Sequence, residues 1–246
     1  MDFSVFICYN YLKSRIPGKR QPERKYKMIY RLVYTAQLGS GVGKEDLGNA
    51  MNAAVLPDHI VSASAMTWRE RVFLYYESKD DSEITPEQLW GDMSGLLEAW
   101  PGEAEKRYWI RMYDIFHYNR PVDDTDWMRH RPSKPFGMLM KIRPEMLASY
   151  IFYHHQMQEE TPGSGGKHGA IYMHENLLFH YLEDNDPSDG LCFKGKLDTH
   201  NTPGNCWGEL MEQHFAPWPD TDPPIQWRKD VDLIYHKEKI VPAPSV

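Results

Sequence analysis

Five of the eleven histidines, His154, His155, His168, His174 and His180, fall within one short stretch of the chain. Histidine has the unperturbed pKa nearest neutrality, so such a cluster can both give and take protons. Carbanion chemistry beside a carbonyl needs a base near neutral pH and a donor that steadies the developing oxyanion. In the run Leu177 to Glu183, strand alternation puts Leu178, His180 and Leu182 on one face and Leu177, Phe179 and Tyr181 on the other. His180 therefore sits on an apolar face, where desolvation lowers its pKa and favours a neutral base. His154, on a predicted helix, is placed to face it across a sheet–helix boundary.

Blander readings stand beside these. His154 and His155 also read as a partly exposed helix pair, and His174 as a solvated turn residue. His168 follows Gly163-Ser164-Gly165-Gly166-Lys167, a gate or a linker. Trp207 and Trp218 read as core or as ligand platforms, and His200 and His214 as surface. A metal site of His154, His174 and His180 lacks any His-Glu-x-x-His or paired-cysteine spacing, so no metal is expected.

The elements that would position these residues occur twice. Tyr30 to Leu38 reads as a strand, Lys44 to Leu56 as a helix, and Ile60 to Trp68 with Arg71 to Ser78 as a hairpin turning at Arg69-Glu70. Pro86 to Trp100 reads as a second helix, with proline early, where its missing N–H costs least. Arg107 to Tyr118 closes the unit as a strand. The same β-α-β-β-α-β order returns in Phe136 to Ile142, Pro144 to Glu160, Gly169 to His174, Leu177 to Glu183, Cys206 to Phe215 and Val231 to Lys237. Glu70 to Tyr76 echoes Glu175 to Tyr181, and Met112 to His117 echoes the run Lys229 to His236.

The expected organisation is an N-terminal extension (1–27), a first ferredoxin-like unit (28–119), a linker (120–135), a second unit carrying the active half (136–238) and a tail (239–246). Two such units are each left with a bare apolar sheet face. Packing these faces together gives an intramolecular α+β barrel, with the cavity between sheets as the default ligand site. The insertion Asp184 to Asn205 is a candidate lid. The short apolar run at Met1 to Asn10 has the wrong charge polarity for a signal peptide and is too short to span a membrane.

Composition suits a globular domain pair: 246 residues, 41% hydrophobic, 13% aromatic. A net charge of −7 argues against nucleic-acid binding, which needs a basic surface. Cys8, Cys192 and Cys206 are odd in number and lack ligand spacing, favouring a reduced, cytoplasmic setting. Gly39 to Lys44 lacks the spacer and hydroxyl of a phosphate loop and reads as a turn.

The run Tyr172-Met173-His174-Glu175-Asn176-Leu177-Leu178-Phe179-His180-Tyr181-Leu182-Glu183, with Phe215-Ala216-Pro217-Trp218, Trp227 and Asp232 to His236, resembles the tetracenomycin-type polyketide cyclases, small dimeric α+β barrels. The resemblance implies aldol-type cyclisation of a poly-keto substrate without a cofactor, with His154 and His180 as the acid–base pair. That family's aspartate after the helix histidine is His155 here, and its arginine falls near Lys167 or His168. The run Met138 to Pro144, followed by His154, Cys206-Trp207, Met211 and Pro219-Asp220, is also similar to the L-rhamnose mutarotases, although that family's tyrosine before the hairpin is Gly169 and its second tryptophan Gly208.

The expectation from sequence is thus a cofactor-independent cyclase, of the kind used in antibiotic biosynthesis, with His154 and His180 catalytic. His155, His168, His174, Tyr172, Trp207 and Trp218 would bind a flat aromatic or poly-keto small molecule. The alternatives are a sugar mutarotase, an aromatic polyketide monooxygenase and a non-catalytic ligand-binding protein. No membrane partner is expected, and a homodimer of fused chains is left open.

Overall fold

The computed structural model describes residues 29–79, 84–102, 104–121, 127–163, 165–184, 195–203, 206–223 and 225–242. The extension 1–27, Cys8, Cys192 and part of the 184–205 insertion lie outside the described residues.

Two antiparallel sheets are built on hairpins with matching turns. In the first, β1 (Tyr30–Leu38), β2 (Ile60–Trp68) and β3 (Arg71–Ser78) run in the order β2-β3-β1. In the second, β7 (Lys134–Ile142), β8 (Ala170–His174) and β9 (Leu177–Asp184) run β8-β9-β7. Each hairpin turns on two residues, and the first of each, Arg69 and Glu175, has φ near +54° (53° and 54°). Positive φ at the first turn residue belongs to the primed hairpin turns, whose twist matches the strands.

The registers superimpose the halves position by position. Phe73, Leu74, Tyr75 and Glu77 hold the places of Phe179, His180, Tyr181 and Glu183. The closing strand of each unit is broken. Leu97–Glu98 (β4) and Ile110–Arg111 (β5) pair with β1, but Tyr113–His117 (β6) crosses to pair with β8 of the other sheet. Likewise Phe215–Ala216 (β10) and Arg228–Asp230 (β11) pair with β7, whereas Asp232–Glu238 (β12) crosses to β2. Both crossing strands slip register at the same place, between Asp114 and Phe116 and between Leu233 and Tyr235. The chain passes between sheets at Met112 and Val231, whose N–H groups donate to the equivalent Val33 and Gly137 carbonyls. The expectation that Arg107 to Tyr118 is one strand of the first sheet is therefore corrected.

Helices cover the outer faces. In the first half α1 (Lys44–Ala53) packs over β12, so closely that a Cβ on Gly48 would lie 2.9 Å from the Ile234 carbonyl oxygen. Next comes α2, only Pro86–Trp90, capped by Thr85 and ended at Gly91 with φ 77° rather than running to Trp100. In the second half a 3₁₀ turn, Pro144–Met146, leads into α3 (Leu147–Glu160), which packs over β6. The last helix, α4, spans Trp207–Glu212. Each half's long helix thus covers a strand supplied by the other half. No helix among the described residues is long and apolar enough to cross a membrane.

The sheets meet through a filled interface. Phe73 stacks on Phe179 at 4.9 Å, and Tyr75 on Tyr181 at 3.7 Å. Such pairs contribute about 0.5–1.5 kcal/mol each beyond their burial. Val33, Met66, Met112, Leu139, Tyr172 and Trp218 complete this core. The cavity expected between the sheets is occupied by these rings, and the candidate site lies elsewhere.

Candidate functional site

On β9, Phe179, Tyr181 and Glu183 point between the sheets, which turns His180 outward toward α3. Its cross-strand neighbours on that face are Met138 and Ile171, and Phe116 follows on β6. From the helix comes His154, buried, with its ring 4.0 Å from Tyr150, 5.1 Å from Trp207 and 5.2 Å from Phe116. Its Nδ1–H donates to the Tyr150 carbonyl one turn back at 3.0 Å, leaving Nε2 as the basic nitrogen.

Burial dominates the electrostatics here. Desolvation lowers the His154 pKa to about 4 against the hydrogen bond that raises it. His180 falls to about 3, through burial first and then the proximity of His154. Both rings are neutral at physiological pH. His180 Nε2 is buried without a hydrogen-bond partner among the described residues. The ring lies between the sheet and α3.

Tyr118, just past the end of β6, borders the same place, its ring 6.2 Å from His180 and 4.8 Å from Phe116. The sequence reading missed Tyr118, because it assigned this strand to the first sheet.

The expected binding residues divide among several places. Trp207 joins His154. His155 lies on the exposed side of α3, since the residue after a buried helix position faces away. His174 lies at the hairpin end, its ring 5.1 Å from Trp100, in an open cleft of about 450 Å³ with Arg107 and Glu98. Tyr172 and Trp218 are inter-sheet core, Trp218 donating to the Trp227 carbonyl at 3.1 Å. His214, expected at the surface, is buried and bonded to the Leu210 carbonyl and the Ser149 hydroxyl. His200 is exposed. Cys206 is exposed and free. Among the described residues no three His, Cys, Asp or Glu side chains are grouped to hold a metal ion.

His168 faces the opposite side of the sheet. It is buried, with Nε2 3.3 Å from the Trp127 carbonyl and Nδ1 3.5 Å from Glu183. There the predicted linker delivers Arg129, which donates to Glu77 at 2.7 Å and Glu183 at 2.9 Å, one carboxylate from each half. Trp127 and Tyr75 also donate to Glu77, and Tyr181 to Glu183. Arg129 and His168 hold the Glu77 pKa down to about 2 despite burial. A cavity of about 290 Å³, lined by Arg129, His130, Lys167, His168 and Glu183, opens over this network.

No protein-family model and no curated protein matches the chain. Two solved structures are similar in overall course. One, from Fusobacterium nucleatum and described as a "Putative monooxygenase", has a TM-score of 0.40 at 10% identity, over 87% of this chain and 96% of that one. The other, described as an anthrone oxidase-like protein, has a TM-score of 0.36 at 6% identity, over 90% and 98%.

Proposed function

We propose that the second half is a cofactor-independent mutarotase, interconverting the anomers of a deoxyhexose of the L-rhamnose kind between β9 and α3. The carrying observation is the company the histidine pair keeps. His154, His180 and Trp207 converge on one face, while the cationic residues that a cyclase would use to steady an enolate, Lys167 and His168, lie on the other side of the sheet with Trp127.

The chemistry of the step points the same way. Opening a hemiacetal moves protons only between oxygen atoms, which neutral imidazoles can relay. Taking a proton from carbon builds an enolate that needs a donor or cation beside it, which Lys167 and His168 do not supply on this face. The mutarotase likeness departs at Gly169 and Gly208. Where it expects a tyrosine stands Gly169, and the ring of Tyr118 lies directly over that glycine.

One observation favours the cyclase as a second reading. The walls contributed by Phe116, Met138, Ile171 and Met211 are apolar and suit a flat poly-keto ligand. The two readings separate in one experiment. Anomer exchange of L-rhamnose, followed by NMR magnetisation transfer, should be accelerated by the protein and abolished by His154→Ala. Exchange at the buffer rate, together with saturable binding of a planar polyphenol, would sink the mutarotase in favour of the cyclase.

A further inference from the structure

Tyr118 is the residue at which the crossing strand ends, and its ring is clasped by two glycines. A Cβ on Gly165 would lie 2.4 Å from Tyr118 Cδ1, and one on Gly169 2.8 Å from Cδ2. Neither position accepts a side chain while the ring stays where it is. The glycine-rich loop Gly163 to Lys167, whose composition suggested a gate, holds in Gly165 one side of a fitted seat for this ring.

The seat fixes the ring next to the histidines. Tyr118 shares a sheet face with His180, 6.2 Å away, and packs at 4.8 Å on Phe116, which meets His154 at 5.2 Å. Its hydroxyl makes no hydrogen bond among the described residues. Burial raises the phenol pKa, so the group stays a neutral donor across the physiological range. A ring wanted only for packing would serve equally as phenylalanine.

We propose that Tyr118 is a third ligand-binding group of this site, donating its phenol hydrogen to an oxygen of the ligand held by His154 and His180. The ligand's identity as a sugar rests on the functional reading above; the role of the hydroxyl does not. The residue precedes the linker and so belongs in sequence to the first half. The site on the second sheet is thus completed by a strand from the first, and either half alone would lack a wall. The equivalent position on the other crossing strand is Lys237, whose ammonium is bonded to the Asn52 and Ala54 carbonyls at the end of α1. That side of the barrel carries a helix cap where this side carries a phenol with no hydrogen bond among the described residues.

The test compares the intact wild-type chain with Tyr118→Phe, using tryptophan fluorescence and two probes, L-rhamnose and a planar hydroxyanthraquinone. The substitution keeps the ring in its seat, so Tm should hold while affinity for the probe that binds falls tenfold or more. Gly169→Ala, which displaces the ring, should reproduce the loss. Unchanged affinity in Tyr118→Phe for a probe that wild type binds would overturn the proposal and leave the functional reading intact. Binding of the anthraquinone alone, with the same tenfold loss, would overturn the sugar reading and uphold Tyr118. A wild-type chain that holds neither probe would overturn both.

Discussion

Leu74 and His180 hold the same place in the two halves. Leu74 lies between Tyr34 and Ala65 across its strand pairs, as His180 lies between Met138 and Ile171. Leu74 is sealed in the core under α1, whereas His180 presents under α3 a buried nitrogen without a partner among the described residues. An unsatisfied buried polar group costs about 1–3 kcal/mol. Replacing His180 by the residue its counterpart already uses should therefore stabilise the protein by about that amount at pH 7. The same His180→Leu change should abolish ligand response. Urea denaturation reads the first effect and ligand titration the second. A destabilised His180→Leu protein would mean that the imidazole is satisfied.

Acid should weaken the fold in a window set by the two histidines. Both folded-state pKa values lie below the ordinary 6.5, at about 4 for His154 and about 3 for His180. The unfolded chain then binds more protons than the folded one below that value. Stability is complete above about pH 6.5 and declines as pH falls toward 4 and below. For His154 alone the gap corresponds to about 3 kcal/mol. Glu77, held at about 2, adds a loss of the same sign only at lower pH, below about 4.5. Urea midpoints measured from pH 7 to 4 should fall in wild type and flatten when both histidines are replaced. A flat wild-type profile down to pH 5 would rule out buried neutral imidazoles.

The repeat could be read from sequence because it is written in local pattern: hairpin turns at Arg69-Glu70 and Glu175-Asn176 and the recurring element order. The echo of Glu70 to Tyr76 in Glu175 to Tyr181 is one residue out of register, since Phe73 holds the place of Phe179 and Glu77 that of Glu183. The placement of His180 on an apolar face followed from alternation alone. Strand exchange was not legible. Whether Tyr113–His117 joins its own sheet or the other is decided at Met112, by a bend whose sequence is unremarkable. Tyr118 was lost for that reason. Arg129 was lost for another: a charged linker residue looks solvated until the two carboxylates it joins, far apart in sequence, are seen to meet. His168 shows the reverse limit, since neighbourhood in sequence to the other histidines placed it on their side of the sheet.

Arg129 should be among the least replaceable residues in the chain. Its guanidinium, 3% exposed, is shared by Glu77 and Glu183 from opposite sheets. Arg129→Met leaves Glu77 and Glu183 with His168 as the cationic neighbour in place of the guanidinium, and breaking a buried pair on one side costs about 3–5 kcal/mol. Adding Glu77→Gln and Glu183→Gln removes the stranded charge and should recover much of the loss. Chemical denaturation of the single and triple variants checks this. Equal instability in both would mean that Arg129 acts through packing alone.

The insertion proposed as a lid is anchored at one end by two neighbouring carboxylates, Glu160 and Glu159. Glu160, at the last position of α3, accepts hydrogen bonds from the Asn201 and Thr202 amides at 3.1 and 2.8 Å, and from the hydroxyls of Thr199 and Thr202. These donors hold its pKa well below the ordinary carboxylate range. Its neighbour Glu159 holds the Lys196 and Leu197 amides, and a Cβ on Gly195 would lie 2.1 Å from the Glu159 carbonyl oxygen. The far side of the insertion is therefore tied to the end of the helix that carries His154. In Glu160→Gln the neutral amide accepts less strongly and turns an N–H toward donors. Amide exchange at Asn201 and Thr202 should accelerate tenfold or more while exchange in β7 and β9 is unchanged. Ligand on- and off-rates should rise together if this segment governs entry. Faster exchange at the two amides with unaltered ligand kinetics would make the anchor a helix cap and remove the lid from the account of the site.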